Sequence, residues 1–203
     1  MGNILIVAEI TNDGAIREAS YELVSIARKL AEASGRGVKS VVIGSGVGDL
    51  AGEFASKGGG ETLVVDNEAL AHYNVDGFNR AIRAAVEAAD ADLVLISNTP
   101  TGWDVAPRVA AGLDAGYISD CFNIEMEGGE LVFYRRVFNG KLDAQLSAEG
   151  RVVTTVQPGA TEAFEGSADG STSPLEVALD DLQSKFVEFK EAEATGVDLT
   201  KAD

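Results

Sequence analysis

Apolar residues alternate between two rhythms along the chain. Residues 3–9 (NILIVAE) form a continuous apolar run bounded by turn residues, the pattern of a strand buried on both faces. Residues 15–33 then set Ile16, Leu23, Val24, Ile26, Ala27 and Leu30 at helical spacing, and Gly35-Arg36-Gly37 stops the helix. The couplet repeats. Strand 38–43 precedes a short helix over 50–57, which ends at Gly58-Gly59-Gly60. Strand 62–65 precedes a helix over 76–89, with Phe78, Ile82, Ala85, Val86 and Ala89 on one face, and strand 93–96 follows. Strands and helices alternating through short loops predict an α/β fold, a parallel sheet with helices on both faces.

A helix over 103–113 comes next, with Pro107 tolerable only in its first turn. Beyond it the rhythm changes. Residues 117–126, 131–138, 142–146 and 152–156 read as strands, with Gly128-Gly129 and Asn139-Gly140 as hairpin turns between the first three. An antiparallel hairpin extension at the edge of the parallel sheet is the simplest account. Residues 161–173 are small, polar and unperiodic, a linker. The last segment reads two ways: Leu175, Val177 and Leu179 alternate like a strand, while Leu179, Leu182, Phe186 and Phe189 fit a helix. It has too few apolar residues for its own core. The expected organisation is an α/β domain over 1–160, then a linker and acidic C-terminal arm over 161–203.

Composition narrows the function. The 203 residues carry 33 acids against 16 bases, a formal net charge of -17. Phosphate binding needs a positive patch, so nucleic acid is not an expected partner. No apolar run approaches the ~18 residues of a membrane span. The start, Met1-Gly2-Asn3, enters the first apolar run without a basic leader, so a cytoplasmic location is expected rather than secretion. One cysteine, Cys121, excludes an internal disulfide framework and a multi-thiolate zinc site. One histidine, His72, makes a multi-histidine metal site or a histidine relay implausible.

Candidate chemistry is sparse. Gly44-Ser45-Gly46-Val47-Gly48 follows a strand and precedes a helix, with Asp66 near the spacing of a ribose-binding acid. However, Asp49 stands where GxGxxG needs its third glycine, and its charge would repel phosphate; an ordinary glycine-rich turn is the stronger reading. There is no P-loop and no GxSxG elbow. Cys121, beside Phe122 in an apolar strand, reads as a buried inert thiol. Asp180-Asp181 and the Glu191/Glu193 pair read as solvated charge. The most informative stretch is 99–111 (TPTGWDVAPRVAA), at the C-terminal end of the fourth strand, where open parallel sheets place functional loops. Asp104 and Arg108 lie four apart on one helix and either pair with each other or leave Arg108 for an anion or an interface. The second is 133–141 (FYRRVFNGK), locally basic, where Arg135 and Arg136 point to opposite faces of a strand.

Taken together, these stretches resemble the alpha subunit of electron transfer flavoproteins, N-terminal half. The resemblance is carried by NILIVAE, Val41-Val42-Ile43-Gly44-Ser45-Gly46 and Thr154-Thr155-Val156-Gln157-Pro158-Gly159-Ala160. Residues 99–111 with Asp120-Cys121 resemble that family's TSxGRDxAPRxAA…SD pattern, and 135–141 its arginine-bearing hairpin. Trp103 departs from the family's usual basic residue and Arg136 from its usual proline. The resemblance implies an adenine nucleotide alpha-hydrolase-like fold and a part in electron transfer from flavin dehydrogenases. It implies FAD in the assembled complex, held mainly by a separate C-terminal flavin-bearing domain and by the beta subunit, with little or none on this chain alone. Family alpha subunits continue past a segment like 196–203 into the flavin domain, and this chain stops there. Cofactor-binding or interface residues implied are Thr99, Thr101, Gly102, Asp104, Arg108, Arg135, Asn139, Gly140 and Lys141. The expected partner is the beta subunit, or failing that a second copy through the arm, whose Leu175, Val177, Phe186 and Phe189 are expected to be exposed. The competing reading is a free-standing adenine-nucleotide-binding protein without electron transfer. A hydrolase lacks a credible base or metal cluster.

Overall fold

The strand buried first in the sequence lies near the middle of the sheet. A computed structural model describes residues 2–184, 186–188 and 190. The strands are β1 (Asn3–Val7), β2 (Val38–Gly44), β3 (Glu61–Asp66), β4 (Ala91–Ser97), β5 (Gly116–Glu127), β6 (Glu130–Val137), β7 (Leu142–Leu146), β8 (Val152–Val156) and β9 (Ser171–Pro174). The helices are α1 (Glu18–Ser34), α2 (Gly48–Phe54), α3 (Val75–Ala88) and α4 (Pro100–Gly112). Among the described residues one sheet contains all nine strands, in the order β7-β6-β5-β8-β4-β1-β2-β3-β9.

Side chains alternate across the sheet and so build two cores. Ile4 and Ile6 of β1 pack with Leu23, Leu30 and Phe54 beneath α1 and α2. Leu5 and Val7 face the other way, toward Ile82, Val86, Val105 and Val109 of α3 and α4. The apolar runs were continuous because both faces are covered.

Four differences from the sequence reading have physical causes. Helix α1 starts at Glu18, because Ile16 forms a β-bridge with Ile10 and closes the preceding loop. Helix α4 starts at Pro100, a residue without an N–H to lose at a helix start, so Pro107 falls in its interior. There it removes the bond to the Trp103 carbonyl; Trp103 is 57% exposed, and water can satisfy the freed group on that face. The antiparallel extension comprises only β5, β6 and β7, whereas β8 inserts between β4 and β5, parallel to both.

The fourth difference is the stretch expected to be a linker. Phe164 packs against Gly58, where a Cβ would lie 2.7 Å from its ring, and the Arg28 guanidinium carbon lies 4.8 Å from the Phe164 ring centroid as a cation–π partner. The chain then pairs Ser171–Pro174 with β3 in parallel and turns round the sheet edge. Leu175, Val177 and Leu182 pack, partly buried, on the α3/α4 core together with buried Leu179. This segment therefore keeps the strand-like alternation without forming a strand, and the expected exposure of Leu175 and Val177 is corrected. Phe186 is exposed on one side and stacks on His72 with the other; Phe189 lies outside the described residues.

Candidate functional site at the strand C-termini

The connections set where a ligand can sit. β1 leads through α1 to β2 on one side, whereas β3 leads through α3 to β4 on the other side of β1. Loops diverge at such a switch point and leave a crevice at the C-terminal strand ends. A cavity of about 540 Å³ occupies this position, among the ends of β1, β2 and β4, with His72, Tyr73, Thr101 and Gly102 in its lining.

Thr99 ties the crevice together. Its hydroxyl accepts from the Gly102 N–H at 3.1 Å, capping α4, and donates to the Glu9 carboxylate at 2.8 Å. The other Glu9 oxygen meets the Arg17 guanidinium at 3.1 Å. Glycine is required at 102, because a Cβ there would stand 2.0 Å from the Ser97 carbonyl oxygen. The surface that α4 approaches here is the chain's own β4.

Asp104 accepts from the Tyr73 hydroxyl at 2.9 Å and lies 3.4 Å from the Arg108 Nε. Burial, and then that carboxylate, push the Tyr73 phenol well above its ordinary pKa, so it stays a donor. Arg108 is exposed and paired loosely with Asp104, the internal ion pair that the four-residue spacing allowed.

Arg135 is not part of this cluster. It sits on β6 opposite Cys121, three strand positions from β4, roughly 14 Å away at ~4.8 Å per strand. Its Nε is buried without a hydrogen-bond partner among the described residues. Burial pushes the Cys121 thiol up, which keeps it protonated and inert. Asn139, Gly140 and Lys141 lie in the β6–β7 turn, where Phe138, Asn139 and Gly140 all take positive φ. Because β6 runs antiparallel to β5, this turn lies toward the opposite end of the sheet from Thr99, Thr101, Gly102 and Asp104. The structure therefore does not bring Arg135, Asn139, Gly140 and Lys141 together with Thr99, Thr101, Gly102 and Asp104.

The glycine turn after β2 is closed from within. The Asp66 carboxylate accepts from the Gly46 and Val47 N–H groups at 2.7 and 3.0 Å. Those amides would otherwise be the donors for a phosphate, and Arg17 is already paired with Glu9. The crevice does not fit the pyrophosphate of FAD. Among the described residues no three His, Cys, Asp or Glu side chains gather as a metal site, and no helix is long and apolar enough to cross a membrane.

Sequence reasoning missed Glu9, Ser97 and Asn98, whose partners are remote in the chain. The Asn98 amide donates to Asp120 at 2.5 Å, and Asp120 takes φ 62 at a β5 irregularity beside β8. Non-glycine residues with positive φ at bulges are uncommon and cluster near functional edges. Position at a strand C-terminus was the one available signal for these residues.

Comparison with known proteins agrees with this architecture. The family model for the electron transfer flavoprotein domain matches residues 4–182. The chain is 32% identical over 206 residues to the electron transfer flavoprotein subunit alpha of Bacillus subtilis, covering all of this chain and 62% of that protein. It is 31% identical over 197 residues to Protein FixB of Clostridium saccharobutylicum, covering 94% of this chain and 59% of that one. A lactate dehydrogenase (NAD(+),ferredoxin) subunit, LctC, of Acetobacterium woodii is 30% identical over 138 residues, 68% of this chain and 33% of its own. The chain spans about 60% of the length of the alpha subunits it matches, their N-terminal part. With a family match over nearly its whole length and these relatives, the chain belongs to the electron transfer flavoprotein domain family.

Proposed function

We propose that this chain is a docking and scaffold element of an electron transfer flavoprotein alpha subunit. In this reading it is an electron-carrier component and not an enzyme, it works in the cytoplasm, and its FAD is held mainly by a flavin-bearing domain and a beta subunit. The observation that carries the docking role is the outer edge of the sheet. β7 is the terminal strand of the described sheet; Phe138, in the turn before it, is 74% exposed and Leu142, its first residue, 59%, in a chain of net charge -17. Apolar side chains beside an unpaired strand edge favour a protein partner, since both the backbone groups and the apolar area gain by being covered. This edge replaces the C-terminal arm as the expected contact, because Leu175, Val177, Leu179 and Leu182 of the arm pack on their own domain.

The reading of a free-standing adenine-nucleotide-binding protein ranks second, because Asp66 holds the amides that a phosphate needs. The test is co-purification with a beta-like subunit of the same family. Phe138→Asp together with Leu142→Asp should abolish co-elution and leave the unfolding midpoint unchanged within error. Normal co-elution of the double variant would remove the edge from the proposal, and self-association of the wild type alone would favour a homodimer.

A further inference from the structure

The crevice between β1, β2 and β4 plays no part in docking through the β7 edge, and it has a chemistry of its own. Its volume, about 540 Å³, falls within the roughly 300–1,000 Å³ of small-molecule sites. Val7, Ile43, Ile82 and Val105 make an apolar floor. His72, Tyr73 and Phe78 make an aromatic wall, the Tyr73 and Phe78 rings meeting edge-on at 5.0 Å.

Ser97 also lines this crevice, 2% exposed, and its hydroxyl has no hydrogen-bond partner among the described residues. A buried hydroxyl left unpaired costs free energy, which a polar ligand atom reaching the floor would recover. Charge sets the rest of the selection. Glu9 lines the crevice, Asp66 fills the glycine turn, and the Arg17 guanidinium is paired with Glu9. A phosphate finds two carboxylates nearby, with the Gly46 and Val47 amides and the Arg17 guanidinium already engaged by them. A flat, neutral ring finds aromatic faces and an apolar floor.

We propose that this crevice binds an uncharged heteroaromatic molecule of nucleoside size, its ring against the His72–Tyr73 wall and one polar atom paired with the Ser97 hydroxyl. The C-terminal segment holds that wall in place. Arg80 pairs with Asp181 and donates to the Ala178 carbonyl, the Ser184 hydroxyl meets Asp76 at 3.3 Å, and Phe186 then stacks on His72 with ring centroids 3.7 Å apart. Phe186 does not line the crevice itself, so it acts on a ligand only by fixing the His72 ring.

Adenosine and AMP, titrated calorimetrically into the full chain, test this directly. Adenosine should saturate one site, and AMP should bind roughly tenfold more weakly, as a like charge near Glu9 implies at near-surface dielectric. That gap should narrow in high salt. Ser97→Ala should weaken adenosine roughly three- to tenfold through the lost hydrogen bond, without lowering the unfolding midpoint. Ser45→Trp, in the exposed rim turn, should abolish binding. His72 is the sole histidine, so its ring resonances report on the wall without ambiguity. They should shift on adding adenosine, and Phe186→Ala should move them in the free chain and weaken binding. Absence of saturable adenosine binding at millimolar concentration, tighter binding of AMP, or unshifted His72 resonances in the bound chain would each overturn the proposal.

Discussion

Gly102→Ala isolates what fixes α4 to the end of β4. By helix propensity alone the change gains about 1 kcal/mol, since glycine has more conformational freedom to lose on folding. The structure predicts the opposite sign. The new Cβ would lie 2.0 Å from the Ser97 carbonyl oxygen and 3.3 Å from Ile96 Cγ2. Ordinary carbon contacts are about 3.5 Å, so the start of α4 must move by more than 1 Å. Such overpacking costs about 1–3 kcal/mol. Displacement also stretches the Thr99 cap, itself worth about 1 kcal/mol. The net expectation is a loss of about 1–3 kcal/mol, or a midpoint roughly 3–10 °C lower for a chain of this size. Urea unfolding with an unchanged m-value, alongside a thermal scan, measures it. Gly52→Ala is the control: it lies on the exposed face of α2, nothing stands within 4 Å of its Cβ, and it should stabilise by up to about 1 kcal/mol. A Gly102→Ala variant as stable as the wild type would refute the close approach of α4 to β4.

Thr99→Ala should cost about 2–3 kcal/mol, because it removes the α4 cap and a charge-assisted bond to Glu9 together, and Thr99→Ser should restore most of the loss by denaturant unfolding. Glu22 is buried, and burial raises its carboxyl pKa against the opposing bond from the Gly159 N–H at 2.7 Å. Because the folded pKa exceeds the unfolded one, its stabilising contribution is present below the ordinary carboxyl pKa and is lost as pH rises through the folded value. Glu22→Gln should therefore raise stability relative to wild type at pH 7 and lose that advantage at pH 4; an equal effect at both would contradict it. With a net charge of -17, self-repulsion should be screened by salt, so the unfolding midpoint should rise between 0.05 and 1 M KCl on the order of a Debye length falling from ~14 to ~3 Å. A falling midpoint would show that paired charges outweigh repulsion.

The sequence revealed what burial writes into it. β1, β2, β4 and β8 were legible because strands covered on both faces are rich in apolar and β-branched residues, as wholly buried Val152–Val156 illustrates, its two threonine hydroxyls bonded to the Asp120 N–H and the Cys121 sulfur. β9 was not legible, because Ser171–Pro174 is an edge strand held by backbone bonds to β3, and its polar side chains carry no periodic signal. Pro174 is tolerated there for the same reason. The candidate site was legible in part. Thr99 as a cap and the Asp104–Arg108 pair follow from local spacing, whereas the Glu9–Thr99 bond joins residues 90 apart and exists only once β1 and β4 are neighbours. The Asp66 clamp on the glycine turn has the same origin: its spacing matched a ribose-binding acid, but the side chain turns inward to the Gly46 and Val47 amides. Arg135 lies apart from the Thr99 cluster for a topological reason, since β8 inserts between β4 and β5 and carries the hairpin one strand farther out.

The docking reading is tested most directly by gel filtration with absorbance recorded at 280 and 450 nm. The chain is run alone with excess FAD, then with a beta-like subunit and a flavin-bearing domain of the same family. The account predicts a colourless peak for the chain alone, and one yellow peak containing this chain when both partners are present. That joint peak should lose this chain when Phe138 and Leu142 are changed to Asp. Stoichiometric flavin on the isolated chain, or a yellow complex that forms without it and never incorporates it, would contradict the account.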